Sequence, residues 1–319
     1  MILGLERELV AVYAGVLALL VIVTIAGTIV RKRAVSESAK ATAAHFAART
    51  KGWWVMSAVF GLTILLGTTG ILTLFGVLSF LALREFITLT PTRRSDHRVL
   101  FWSFFLLTPL QYVMVGREWF IGFTTLIPVY AFLLLPVRIA CAGDTERFLE
   151  RAATIQWGLM VCVYCLSHAP ALLSLEIKGR AGGDPKLLLF LVLVVQLSDA
   201  LQYAWGNICG WRKIAPTVSP RKTVEGSVLG IACATFIGGA LWWLTPFSFV
   251  DALWMSLAAT LMGFGGGLVM SAIKRDRRIE DYGGTIDAYG GILDRIDCVC
   301  FAAPVFFHFT RYFYAGGAS

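Results

Sequence analysis

Two polar segments interrupt an otherwise apolar chain and contain the side chains that could do chemistry. The first begins at Ser198 and Asp199 and continues through residues 206–226. An aspartate inside an apolar helix is costly and usually marks function, although one at the wet end of a helix is the simpler alternative. The following loop combines prolines, hydroxyl groups and four basic residues. We therefore expect this segment to bind a phosphate group or a nucleotide.

The second segment, residues 271–297, contains six acidic and five basic residues. Asp294 and Asp297 are three positions apart, so a helix starting there would place both carboxylates on one face. Paired carboxylates at that spacing can hold Mg²⁺, which prefers oxygen ligands and often shares them with substrate phosphates. Gly290 and Gly291 permit a close backbone approach just before them. The alternative is a solvated loop whose basic residues only set the orientation of the spans in the membrane. Such a loop requires Lys and Arg residues, but it does not require several aspartates at matched spacing.

The composition determines which kind of fold must position these segments. Of the 319 residues, 57% are hydrophobic and 15% are charged, which excludes a soluble domain. The apolar residues form long unbroken runs without alternation, which excludes a membrane β-barrel. We predict an all-α, polytopic transmembrane helical bundle of about ten spans. The predicted spans are residues 9–30, 53–67, 70–83, 99–115, 119–137, 154–173, 187–205, 227–245, 249–270 and 298–310.

The basic residues predict the orientation of these spans. Five loops contain 22 of the 28 Lys and Arg residues: 31–52, 84–98, 138–151, 206–226 and 271–297. All five lie on one side if ten spans alternate, and the positive-inside rule assigns that side to the cytoplasm. Both termini are then expected outside it. The net charge of +8 is mostly this bias, so nucleic acid is not an expected partner. A bacterial inner membrane fits, although an internal eukaryotic membrane could show the same bias.

The cysteines and histidines predict neither a disulfide framework nor a zinc site. The seven cysteines are odd in number and lie mostly within predicted spans. Cys162 and Cys165 form a C-x-x-C that lacks the βαβ context of a redox motif, so we expect buried apolar thiols there. The four histidines lack ligand spacing to one another.

Both polar segments resemble the phosphatidate cytidylyltransferase (CDP-diacylglycerol synthase) family over roughly residues 53–315. The second follows the family pattern S-x-x-K-R, then K-D, then H-G-G-x-x-D-R-x-D, through Ser271, Lys274, Arg275, Asp281, Gly290, Gly291, Asp294, Arg295 and Asp297. The first follows the S-D block and P-x-V-S-P-x-K-T-x-E-G, through Ser198, Asp199, Pro216, Val218, Ser219, Pro220, Lys222, Thr223, Glu225 and Gly226. We expect residues 53–319 to be the cytidylyltransferase-like domain, preceded by an additional helix and a basic connector in residues 1–52.

The resemblance implies a reaction in which CTP and phosphatidic acid give CDP-diacylglycerol and pyrophosphate. It also implies that the protein is surrounded by membrane lipids. It implies Mg²⁺, with a second monovalent or divalent cation left open, and a homodimer. The implied metal ligands are Asp281, Asp294 and Asp297. The implied catalytic residues are Lys274, Arg275, Asp294, Arg295 and Asp297. The implied substrate-binding residues are Ser198, Asp199, Lys213, Ser219, Lys222, Thr223, Glu225, Ser271, Gly290 and Gly291.

Several positions depart from the family pattern. Gly267 stands where the family has an aspartate in G-D-L-x-x-S, and Asp276 or Asp199 is the candidate replacement. Glu280 and Tyr289 replace a lysine and a histidine, so we expect a divergent paralogue whose activity is attenuated or retuned. The same chemistry on another lipid phosphate, or a degenerate homologue that only binds lipid or nucleotide, are the alternatives. A transporter fits less well, because the charges lie outside the midplane.

One acidic residue outside the two segments is also a candidate. Glu85, at the predicted cytoplasmic end of the third span, resembles a family position that faces the site. A solvated glutamate at a helix end is the alternative, and the sequence does not decide between the two.

Overall fold

A computed structural model describes residues 7–33, 37–90, 92–177, 185–279, 281–283 and 290–315. Ten helices form within these residues, one for each predicted apolar run. Their bounds are α1 Arg7–Arg33, α2 Glu37–Leu65, α3 Gly67–Thr88, α4 Arg94–Gly116, α5 Phe120–Ala140, α6 Phe148–Ser174, α7 Lys186–Cys209, α8 Val224–Ala240, α9 Phe249–Asp276 and α10 Leu293–Phe313.

The helices have the length and surface of a membrane bundle. Among the described residues, seven are long and apolar enough to cross a membrane, and α8 is a shorter apolar helix. Large apolar side chains such as Leu133, Leu134 and Val137 are exposed on the outside of the bundle. The backbone N–H and C=O groups of a helix bond to each other, and the hydrocarbon of a membrane offers them no other partners. The prediction of a polytopic all-α bundle is confirmed.

The start of the chain is more helical than its polar composition suggests. Helix α2 begins at Glu37, so residues 37–52 of the predicted basic connector are helical. Six alanines between residues 39 and 48 explain this, because alanine is the best helix former. Gly67 has a φ of +69°, which a residue with a side chain rarely adopts, and α3 starts there. The chain therefore breaks at Leu66 and Gly67, between α2 and α3.

The last four helices form the packed half of the molecule around α10. Helix α7 contacts α8, α9 and α10, helix α9 contacts α8 and α10, and α10 also packs against α6. The inward face of α10 is fully buried and consists of Cys300, Ala302, Ala303, Phe306 and Phe307. Small residues there let neighbouring helices approach closely, which is how helices associate in a membrane. This packing fixes the axis of the helix that begins with Asp294 and Asp297.

A short β-hairpin between α7 and α8 departs from the all-helical prediction. Strand β1, Lys213–Ala215, pairs antiparallel with β2, Ser219–Thr223. The hydroxyl of Thr223 caps α8 by accepting a hydrogen bond from the Gly226 amide at 3.2 Å. The Glu225 carboxylate accepts from the amides of Trp211 at 3.0 Å and Arg212 at 3.1 Å. The hairpin is thereby fixed to the start of α8.

Four of the five predicted basic loops contact one another at one end of the bundle, which we call the site end. Arg93 lies 3.4 Å from Asp144, and Arg277 lies 3.9 Å from Glu150. Arg275 Nε donates to the carbonyl of Val218 in the hairpin at 3.2 Å. These contacts join loops 84–98, 138–151, 206–226 and 271–297. Alternation of the helices therefore places most of the basic residues together, as the sequence predicts.

A buried arginine holds two of these loops to α6. Arg151, 5% exposed, lies 3.2 Å from Asp96 and 3.0 Å from Asp144. The Ser95 hydroxyl donates to Asp144 at 2.9 Å, and this bond, with Arg151 nearby, holds the pKa of Asp144 below its usual range. Asp96 is fully buried, so its charge depends on Arg151 for compensation.

We expect Asp96→Ala to lower the thermal unfolding midpoint of the purified protein markedly. Removing one partner of a buried ion pair strands the other charge and costs about 3–5 kcal/mol. Glu150→Ala is the matched control, because its pair with Arg147 is exposed and its contact with Arg277 is long, at 3.9 Å; exposed pairs are worth at most about 1 kcal/mol. Equal midpoints for the two variants would show that the Arg151 pair does not stabilise the fold.

Candidate active site

The start of α10 is held by a glutamate from α3. The Glu85 carboxylate accepts hydrogen bonds from the amides of Ile292 and Leu293, each at 2.9 Å. The first amides of a helix have no partner within the helix, and a negative charge there also offsets the helix dipole. Glu85 is only 6% exposed. It is therefore a buried positioning residue, and the alternative of a solvated helix end is wrong.

Glycines make room for this contact. A Cβ atom added at Gly291 would lie 2.5 Å from Glu85 Oε2, and one at Gly283 would lie 3.3 Å from Oε1. Gly290 has a φ of +78°, a conformation that favours glycine. Gly291 thus permits a close backbone approach, as the sequence predicts, and the group that it approaches is the carboxylate of Glu85. Substrate binding by Gly290 and Gly291 stays a prediction.

Asp294 forms the first charged cluster of the site. Its Oδ1 accepts from Lys274 Nζ at 2.8 Å, and its Oδ2 accepts from the amides of Tyr282 at 2.9 Å and Gly291 at 3.1 Å. The exposed Asp281 is close by, because its Cγ would lie 3.5 Å from a Cβ at Gly290. Both oxygens of Asp294 are already engaged, so this aspartate orders the loop before α10 as well as pairing with a base.

Asp297, one helical turn further on, belongs to a second charged cluster. Asp199 from α7 and Lys222 from β2 are the charged side chains that act on its carboxyl group. The Asp297 Oδ1 also accepts from the Cys298 amide at 2.7 Å. All three charged side chains are partly buried. Asp199 stays a predicted site residue; its charge and that of Lys222 from the hairpin both act on Asp297.

The position of Lys222 depends on the glycine at 267. Its Nζ lies 5.0 Å from the centre of the Phe264 ring and only 2.7 Å from the place of a Cβ at Gly267. A cation over an aromatic ring is stabilised by the electron-rich ring face. The ammonium group thus occupies the space that a side chain at residue 267 would fill. Asp276, the other candidate to replace an acid there, is exposed and pairs with Arg277 at 3.3 Å.

The three predicted metal ligands do not converge on one point. Asp294 pairs with Lys274, whereas Asp297 lies with Asp199 and Lys222. In the described part of the chain, no three His, Cys, Asp or Glu side chains are arranged to hold a metal ion. The carboxylates of Asp199 and Asp297 are the pair whose chemistry fits a divalent cation, since each faces a like charge that a cation would offset.

Other predicted residues have structural contacts at the site end. Ser271 Oγ donates to the carbonyl of Gly267 at 2.6 Å, and the buried Ser198 Oγ accepts from Gln202 at 3.0 Å. Arg275 is exposed and donates to the carbonyls of Val218 and Ile279. It therefore ties the hairpin to α9, a positioning role that the sequence did not predict.

The remaining predicted residues lie around the two clusters. Lys213 is exposed on β1, and Ser219 is partly buried on β2. The Arg295 carbonyl accepts from Gln196 on α7 at 2.8 Å. Glu280, Asp287 and Tyr289 lie outside the described residues.

The fold and the site define a membrane-embedded helical protein with two adjacent clusters of lysines and carboxylates at one end. A match to the cytidylyltransferase family extends from residue 47 to residue 313. The chain therefore belongs to the cytidylyltransferase family. Helix α1 precedes the matched segment.

Individual relatives agree with this assignment. The uncharacterized protein YnbB of Escherichia coli K12 is 41% identical over 267 residues, which cover 83% of this chain and 87% of YnbB. The phosphatidate cytidylyltransferases of Staphylococcus saprophyticus and Staphylococcus aureus strain COL are 39% and 34% identical over 125 and 122 residues. Each of these matches covers 37% of this chain and 46% of the staphylococcal protein. The chain thus spans about half of the length of these two enzymes.

We expect Glu85→Gln to increase hydrogen exchange at the amides of residues 290–297. Hydrogen bonds to a charged acceptor are worth roughly 1 kcal/mol more than neutral ones, which corresponds to about fivefold faster local opening. Glu118→Gln, at an exposed glutamate between α4 and α5, is the matched control. Unchanged exchange in the Glu85 variant would show that this carboxylate does not hold the start of α10.

Proposed function

We propose that the protein is an integral membrane nucleotidyltransferase that condenses CTP with phosphatidic acid to give CDP-diacylglycerol and pyrophosphate. An oxygen of the lipid phosphate attacks the α-phosphorus of CTP, and the bond from that phosphorus to the pyrophosphate oxygen breaks. The observation that carries the proposal is the pair of carboxylates on two successive turns of α10, Asp294 beside Lys274 of α9 and Asp297 beside Lys222 of β2, in a member of this family.

The charges of the site suit this reaction. Both substrates are anions that repel each other, so catalysis is largely positioning and charge neutralisation. Lys274 and Lys222 stand beside the two carboxylate clusters, and Arg295 lies between Asp294 and Asp297 in sequence. These bases would neutralise the phosphates, and the lipid phosphate itself supplies the nucleophile. The protein needs no covalent nucleophile of its own.

We also propose that Asp199 and Asp297 hold Mg²⁺, with Asp281 and Asp294 beside them. Mg²⁺ is usually bound through one or two carboxylates together with substrate phosphates and water. Two protein carboxylates are therefore sufficient, and the absence of a three-residue cluster among the described residues does not count against this ion. When bound, the ion would offset the charge on the transferred phosphoryl group. Lys222 would share the same carboxylates.

We expect Asp297→Asn to weaken the proposed Mg²⁺ site and so to lower turnover of CTP with phosphatidic acid about 100-fold, because losing the cation removes a positive charge that stabilises the anionic transition state. The assay follows labelled CTP with Mg²⁺ and phosphatidic acid in detergent micelles. Asp276→Asn is the matched control, because Asp276 is an exposed carboxylate outside both clusters.

The outcomes separate the alternatives. Full turnover in the Asp297 variant would overturn its assigned role. Turnover with a different lipid phosphate but not with phosphatidic acid would change the acceptor and keep the chemistry. Failure with every lipid phosphate, together with retained CTP binding, would identify a homologue that binds nucleotide without catalysis.

We propose that the site end faces the cytoplasm, where CTP is made, and that both termini lie on the other side. The concentration of basic loops at this end supports the orientation. The exposed Cys141, in the loop between α5 and α6, provides a native test.

A membrane-impermeant maleimide should label Cys141 in inside-out vesicles but not in intact cells. Cys141→Ser should remove the label, which controls for reaction at other cysteines. Labelling of Cys141 in intact cells would place the site end outside and contradict the orientation.

A further inference from the structure

An apolar cavity of about 360 Å³ lies beside the charged clusters, within the size range of ligand pockets. Helices α1, α2, α3, α7 and α10 line it, with Leu166 contributed by α6. Its walls are almost entirely hydrocarbon, with Gln196 and Arg295 among the few polar residues. A polar or charged ligand would find few partners over most of this space, so the shape and chemistry fit a hydrocarbon chain.

The length of the cavity matches one leaflet of a membrane. Along α7 the lining residues run from Leu189 to Ala200, a rise of about 16 Å at 1.5 Å per residue. Half of the hydrocarbon core of a bilayer is about 15 Å thick. Ala200 follows Asp199 directly, so the cavity begins at the depth of the charged clusters and extends from there into the bundle.

The end of the cavity nearest the charged clusters has a basic residue that could meet the phosphate of a lipid. Arg295, which lines the cavity, lies on the first turn of α10 beside Asp294. Its carbonyl accepts from Gln196 of the cavity wall, which joins α7 to α10 at this point. A lipid with its chain in the cavity would therefore carry its phosphate to the bases of the site. Because the apolar cavity continues into a basic end, the occupant that fits it is a lipid that has a phosphate headgroup.

Helix α1 forms one wall of the cavity through Tyr13, Val16, Leu19 and Leu20. Polar contacts hold it in place at three levels. Glu8 pairs with Lys186 at the start of α7 at 2.7 Å, the Tyr13 hydroxyl donates to the Ser57 carbonyl, and Trp54 donates to Thr24 at 3.0 Å. These contacts fix both the height and the rotation of the helix.

We propose that the cavity binds one acyl chain of the lipid phosphate substrate and that α1, which precedes the matched family segment, determines which chains are accepted. The proposal rests on the proposed function for the identity of the lipid. Val16 is the specificity-determining position, since it lies in the middle of the α1 wall. A bulkier side chain there would fill the space that the chain needs.

The test uses the full-length protein and a phosphatidic acid with a photoactivatable diazirine in one acyl chain. We expect labelling of α1 and α7 peptides that unlabelled phosphatidic acid suppresses and phosphatidylcholine does not. Val16→Phe should lower this labelling about tenfold, the loss expected from overpacking an apolar space. Ile22→Phe is the matched control, because Ile22 is an exposed residue of α1 outside the cavity lining. Leu193→Phe narrows the facing wall and replaces Val16→Phe if that variant does not fold.

The outcomes distinguish this proposal from the proposed function. Specific labelling without pyrophosphate release would contradict the enzyme activity and keep the acyl-chain site. Normal turnover with equal labelling of the cavity variants and the Ile22 variant would overturn the acyl-chain site and keep the activity. Suppression by phosphatidylcholine as strong as that by phosphatidic acid would show a surface for bulk lipid, which also overturns the proposal.

Discussion

The site depends on how the amino end of α10 is held. Two carboxylates share this work: Glu85 accepts from the amides of Ile292 and Leu293, and Asp294 accepts from those of Tyr282 and Gly291. Such amides would be costly to leave unpaired near a membrane interior. Because Asp294 also pairs with Lys274, the same contact joins α10 to α9. The depth and rotation of α10 then place Asp297 towards α7 and the hairpin.

In the second cluster, the small size of one residue determines where a neighbouring charged group lies. Gly267 leaves a space beside Cys298, and the Lys222 ammonium occupies it, close to Asp297 and Asp199. An acid at position 267 would instead meet that ammonium and pair with it. The ammonium of Lys222 thus fills the space at position 267, where the family pattern G-D-L-x-x-S has an aspartate. The missing acid at residue 267 alters how strongly the site attracts a mobile cation. It can therefore change the cation requirement of the site and need not simply abolish its activity.

The apolar runs were sufficient to predict the ten helices, because spans of that length have no other stable form in a membrane. The spacing of Asp294 and Asp297 also correctly predicted a helix with both on neighbouring turns. It could not predict their different partners, since Lys274 and Lys222 come from distant elements. The role of Glu85 depends on a contact across more than 200 positions. The hairpin was missed because its two strands are short and contain prolines or lie beside them.

On the proposed function, the balance of charge within the two clusters calls for a cation in addition to their own bases. Four carboxylates, those of Asp199, Asp281, Asp294 and Asp297, lie with three bases, Lys222, Lys274 and Arg295. These groups alone carry a net negative charge, which disfavours a triphosphate and a lipid phosphate. A divalent cation would reverse that sign, whereas a further carboxylate at residue 267 would deepen the deficit and require still more positive charge. On the proposed function, the glycine at 267 and the lysine beside it favour a site that would need fewer metal ions to accept the two anionic substrates.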